Sequence, residues 1–264
     1  MRLFTRLALL TLLPVCLQSL RSQSCPTCCN PSVTCEAGGD AQDTCRWPPG
    51  GCPYPNQTVV AGCCCNATPI LIDVDNLGFK LTDAQRGVLF DIGGDGKKDQ
   101  VSWPEPGSTN AWLVYDRNGN GLIDSGKELF GNATVQPIPS NGEKMNGFLA
   151  LSVLDLKGWG GNEDGVVDAK DAQFSELRLW QDLNHNGISE PSELKSLSSY
   201  GVSGIELKYR LSKKTDAHGN RFRYRAKIRG AKDGSDSPEK WAWDVILVVD
   251  NSKLMSSWPA QRLR

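Results

Sequence analysis

Asp182-Leu-Asn-His-Asn-Gly-Ile-Ser-Glu-Pro-Ser-Glu193 is the stretch on which the reading of the whole chain turns. Calcium is a hard cation that takes six to eight oxygen ligands, and a twelve-residue loop can deliver them from positions 1, 3, 5, 7, 9 and 12 around a glycine at 6. Here Asp182, Asn184 and Asn186 fill positions 1, 3 and 5, and Gly187 stands at 6. The Ile188 carbonyl serves 7, with Glu190 at 9 and Glu193 at 12. Ile188 is expected to pack inward, and Glu193 to open a helix, where a carboxylate is favoured. A merely polar turn would seldom fill all six positions. His185, at position 4, is expected to face solvent.

The same rhythm recurs upstream. Asp116, Asn118, Asn120, Leu122 (through its carbonyl) and Asp124 match the first nine positions of a second loop. Its position 12 is Lys127, so Glu128 would have to reach in from one residue later. In a third loop Asn162, Asp164, Val166, Asp168 and Asp171 fall at 3, 5, 7, 9 and 12, and Asp155 supplies position 1 if residues 156–160 bulge out. Asp91, Asp95 and Asp99 form a weaker series with Gly93 at position 3. Asp73 and Asp75 form another, with Leu77 at position 5.

Around these loops the apolar pattern predicts short elements. Residues 69–75 and 111–116 read as strands running into acidic loops, and 88–91 as a shorter one. Phe174, Leu177 and Trp180 recur at helical spacing, which predicts a helix over 172–180. That helix would join the third loop to the 182–193 loop as a pair, and a further short helix is expected from Glu193. Beyond residue 202, Ile205, Leu207, Tyr209 and Leu211 alternate with polar residues. So do Phe222, Tyr224, Ala226 and Ile228, and a third strand runs from Trp241. The alternation predicts a cationic face of Arg221, Arg223, Arg225, Lys227 and Arg229.

The segments PILIDVDNLGFKLT, VLFDIGGDGKKDQVSW, WLVYDRNGNGLIDSGKELFG, NGFLALSVLD, NEDGVVDAKDAQFSELRLWQDLNHNGISEPSEL and GVSGIELKYR follow one another over about 140 residues. The series resembles the EF-hand-like calcium-binding region of large bacterial repeat-containing exoproteins and of shorter secreted bacterial proteins. The resemblance implies calcium as the cofactor, at the positions already named, and implies no enzymatic reaction. The expected fold is α+β: short strands and helices around EF-hand-like loops, a C-terminal antiparallel β-meander, and an N-terminal disulfide-rich appendage.

The ends of the chain point to export. Arg2 and Arg6 precede a short apolar run over residues 7–16, and polar residues follow, as in a secretory leader over 1–22. A lipid anchor on Cys16 is the alternative. Nine of the ten cysteines lie between Cys25 and Cys65, which suggests disulfides in segment 23–66, with zinc as the rival. The expected domains are then 69–201 for calcium and 202–250 for a β region, with a tail over 251–264. With 29 basic and 30 acidic residues, nothing favours nucleic acid. Neither a nucleophile elbow nor a phosphate-cradling loop is present, so an enzyme is not expected. The sequence suggests a secreted scaffold or surface interaction module. The alternatives are a calcium-dependent binder of an anionic surface polymer through the basic face, or a calcium-stabilised hydrolase.

Overall fold

The run Ile70-Leu-Ile-Asp73 sends Ile70 and Ile72 to one side and Leu71 to the other, all fully buried. A strand covered on both faces must lie inside a layered structure. In the computed structural model, which describes residues 68–250 apart from 138, 140–143 and 231–239, this strand is near the middle of one large sheet. The expected leader, the cysteine-rich segment with its expected disulfides and the expected C-terminal tail lie outside the described residues.

In chain order the elements are β1 (Ile70–Asp73), β2 (Val88–Phe90), β3 (Asp99–Val101), β4 (Asn110–Val114) and α1 (Gly147–Ser152). There follow β5 (Val166–Asp168), β6 (Arg178–Trp180), β7 (Leu194–Ser196) and β8 (Val202–Glu206). The series ends with β9 (Arg210–Thr215), β10 (Arg221–Gly230) and β11 (Trp241–Ile246). Nine strands form a curled sheet in the order β5-β8-β10-β11-β1-β4-β6-β7, with β9 added beside β10. Every strand pairing is antiparallel. β2 and β3 make a separate hairpin.

Each face of the sheet carries its own core. Ile70, Ile72, Ala111, Leu113 and Ala242 pack under α1, which contributes Phe148, Ala150 and Leu151. Asn146 starts this helix: its side chain accepts from the N–H groups of Phe148 and Leu149, as an N-cap does. The opposite face holds Leu71, Trp112, Trp180, Trp243 and Val245, covered by Val88, Phe90, Val101 and Trp103 from the hairpin region. Trp103 meets Trp112 at 5.0 Å and Trp180 at 5.4 Å between ring centroids, so three indoles form one contiguous contact.

This architecture corrects the α+β expectation. The fold is mostly β, with a single short α-helix among the described residues. Segment 172–180 is not a helix. Phe174–Glu176 makes one 3-10 turn, and Arg178–Trp180 extends to pair with β4 and β7. Glu193 precedes β7, and the helix expected from it is reduced to a 3-10 turn at Leu197–Tyr200.

The expected cationic face is also broken. A bulge between Phe222 and Tyr224 in β10 shifts the alternation, a common function of bulges. Arg223 is thereby buried, with its Nε 3.3 Å from Asp244 and one Nη donating to the Met145 carbonyl. Arg229 turns toward Glu206 and Asp168.

Candidate metal-binding loops

Five loops of this chain share one backbone. Their opening residues are Asp73, Asp91, Asp116, Asp155 and Asp182. In each, one carboxylate oxygen accepts the N–H of position 5 and the other accepts the N–H of position 6, at 2.7–3.2 Å. Position 6 is glycine with positive φ in all five, from +69° at Gly187 to +90° at Gly78. Position 4 is left-handed as well: Asn76, Gly94, Gly119, Glu163 and His185 have φ between +55° and +72°. A non-glycine residue held there costs roughly 1–3 kcal/mol. Three of the five loops carry that strain, which other interactions in the loop must offset.

The third loop keeps this geometry despite its insertion. Asp155 accepts from the N–H groups of Asp164 and Gly165 because residues 156–160 leave as a 3-10 turn, Lys157–Trp159, and return. Asp171 closes the loop by accepting from the Asn162 and Asp168 N–H groups. Here the Lys170 ammonium lies 2.8 Å from Asp164 and 3.6 Å from Asp168. Its hydrogen bond holds the Asp164 carboxyl below the ordinary range. Val166 lies in β5 and pairs with β8.

In the 182–193 loop the side chains converge on Glu190, whose Oε1 accepts from Asn186 at 2.7 Å and Asn184 at 3.3 Å. Its Oε2 is buried without a partner. Glu190 also contacts Glu193; burial, with that contact, pushes the Glu193 carboxyl up. Two indoles anchor the end positions. Trp103 Nε1 donates to Asp182 at 2.8 Å, and Trp180 Nε1 donates to Glu193 at 3.2 Å. In the 116 loop Glu128 accepts from the Asp124 and Ser125 N–H groups through Oε2, while its Oε1 is buried and unpaired. Burial drives this carboxyl up too. Asn118 and Asn120 turn their Oδ1 atoms onto the N–H groups of Asn120 and Leu122.

Several expectations need correcting. Ile188 is 51% exposed and Leu122 41% exposed; the buried residues are the next ones, Ser189 and Ile123. Those two touch, so the 182 loop pairs with the 116 loop and not with the 155 loop. His185 does not point to solvent. Its ring nitrogens lie 2.7 Å from the Pro104 carbonyl and 2.8 Å from that of Arg86, tying the loop to the hairpin region. Among the described residues no group of three or more His, Cys, Asp or Glu side chains is placed to hold a metal ion, which goes against the sequence reading of an EF-hand, metal-binding chain. The 116, 155 and 182 loops mix carboxylates with Asn side chains.

Sequence reading missed Trp103, Trp180 and Ser189. No local signal marks the indoles, whose roles depend on distant strands. Ser189 had one, since it occupies position 8 of its loop as Ile123 does of the other. Among the described residues no helix is long and apolar enough to cross a membrane.

The model of the SPM domain matches residues 70–246, the span of the sheet from β1 to β11. The iron-regulated protein FrpA of Neisseria meningitidis serogroup C is 34% identical over 185 residues. The alignment covers 69% of this chain and 15% of that protein, so the chain spans a small part of its curated relative.

Proposed function

The chain belongs to the SPM domain family, not to the EF-hand-like family its loops resemble, and from that premise we propose that it is a secreted module whose loops take up calcium as a structural cofactor. The observation that carries the reading is the shared backbone of the five loops, with left-handed residues at positions 4 and 6 and an aspartate clasping the turn. In the 116, 155 and 182 loops, side-chain oxygens stand at positions 1, 3, 5 and 9 of such a turn, the positions from which a hard cation is ligated in a twelve-residue loop. The buried Oε1 of Glu128, which has no hydrogen-bond donor, fits such an ion. A buried carboxylate oxygen without a donor is costly, and a cation would remove the cost.

The residues that would hold the ions are Asp182, Asn184, Asn186, the Ile188 carbonyl, Glu190 and Glu193 in the 182–193 loop. In the second they are Asp116, Asn118, Asn120, the Leu122 carbonyl, Asp124 and Glu128. In the third they are Asp155, Asn162, Asp164, the Val166 carbonyl, Asp168 and Asp171. Lys170 would have to swing off Asp164 and Asp168 there. Calcium supplies charge neutralisation and a fixed loop geometry. Binding only to the folded state stabilises it by mass action. Export past the leader would bring the module to millimolar calcium. No catalytic step is assigned.

A thermal melt of the full chain in calcium, magnesium or a chelator tests this, repeated on Asp182→Ala. Calcium should raise the midpoint by several degrees in the native chain and by much less in the variant. An unchanged midpoint in the native chain would sink the proposal.

A further inference from the structure

Three cations on one sheet face stand on aromatic rings. The Arg225 guanidinium lies 4.4 Å from the Trp241 ring centre and 5.3 Å from that of Trp243. Lys227 Nζ lies 5.9 Å from Trp241. Lys214 Nζ sits over Phe79, Phe222 and Trp243 at 4.8, 4.6 and 5.4 Å. Such contacts fix side chains that would otherwise sample many rotamers.

Arg210 of β9 is the cross-strand partner of Arg225, and Arg225 is in turn opposite Trp243 of β11. Directly opposed residues of antiparallel strands point to the same face, so two arginines are held side by side. Like charges so placed destabilise a sheet. Among the described residues no carboxylate pairs with Arg210 or Arg225. The bulge that buries Arg223 also brings Arg225 onto the face shared by Trp243 and Lys214. A preorganised row of cations, costly when empty, is a surface suited to a polyanion.

We infer that Arg210, Lys214 and Arg225, braced by Trp241 and Trp243, form a docking face for an extended uronic-acid polysaccharide. Planar guanidinium forks match planar carboxylates. A single-stranded nucleic acid fits less well, because it needs open ring faces for base stacking and these rings are covered by the chain's own cations. A bilayer fits less well, because the large exposed apolar residue of this region, Leu211, is opposite Tyr224 on the other face.

The test measures binding of the full chain to polygalacturonate, with dextran as the uncharged control. The double variant R210Q/R225Q should lose at least about ten-fold in affinity, with binding by the native chain weakening as salt rises. Its melting midpoint should not fall, since the variant removes two like charges that oppose each other across the strands. If the double variant melts early, R210Q alone keeps the test intact, with an expected loss of about three-fold. Undiminished binding by these variants overturns the inference. So does retention confined to heparin, to oligo-dT or to phosphatidylglycerol vesicles.

Discussion

Ser189 holds Ile123 at both backbone atoms: its Oγ accepts the Ile123 N–H at 2.6 Å and donates to the Ile123 carbonyl at 3.4 Å. Both residues are at least 98% buried, so water cannot replace either bond. This one hydroxyl couples the 116 and 182 loops. Ser189→Ala leaves a buried N–H and a buried carbonyl unsatisfied, at a cost of about 1–3 kcal/mol. Urea denaturation should record a loss of that size. A midpoint indistinguishable from the native chain would show that the loops are joined elsewhere.

Asp244 is fully buried against Arg223 and the Gly147 N–H. Burial pushes its carboxyl up to about 6, and the guanidinium only partly opposes this. A carboxyl raised in the folded state binds more protons there than in the unfolded chain, so its contribution to stability is greatest below about pH 4. That contribution is lost as pH rises through 6 and amounts to no more than ~3 kcal/mol. The stability of the native chain relative to Asp244→Asn should therefore fall between pH 4 and pH 6.5 and then level off. Parallel pH profiles for the two proteins would refute it.

The indole of Trp180 holds Glu193 from inside the core. Trp180→Phe keeps a ring in place and removes the N–H donor. Partners that orient a ligand typically govern metal affinity by 10–100-fold. Calorimetric titration with calcium should accordingly show at least about ten-fold weaker binding at one site. Unaltered affinity would mean that Glu193 needs no such support.

Gly87 has no room for a side chain: a Cβ there would fall 1.8 Å from the Val101 carbonyl oxygen. Val101 belongs to β3, so the clash is with fixed backbone. Gly87→Ala must displace the hairpin that covers the tryptophan cluster, at a cost of about 3 kcal/mol or more. The expected readout is a lower melting midpoint with altered near-ultraviolet circular dichroism from the indoles. A native-like melt would show that the hairpin shifts freely.

Strands were legible where the sequence alternates or runs apolar, as at Ile70–Asp73, Asn110–Val114 and Arg221–Gly230. The loops were legible because glycine at position 6 and aspartate at position 1 act locally. What failed was the assignment of helices. Phe174, Leu177 and Trp180 repeat every three residues, a spacing that a helix satisfies and that a 3-10 turn running into a strand satisfies equally. The choice is made by β4 and β7, which offer Trp180 backbone partners and an aromatic pocket. Conversely α1 was overlooked, although Asn146 ahead of an apolar run is an N-cap signal. The bulge at Arg223 has no signature in an otherwise regular alternation. It follows from the pairing of that arginine with Asp244, a residue 21 positions later.

The place of β11 in the sheet has a consequence for how the molecule comes into being. It is the last strand among the described residues, yet it sits between β1 and β10. While the polypeptide emerges N-terminus first from a ribosome, the gap between those two strands stays open. Ile70, Ile72 and Phe222 lack their neighbours until residue 246 is free. Pairings this distant in sequence form slowly. The sheet over residues 70–246 is thus completed only when its C-terminal strand arrives, so its two halves cannot close before the whole segment is available.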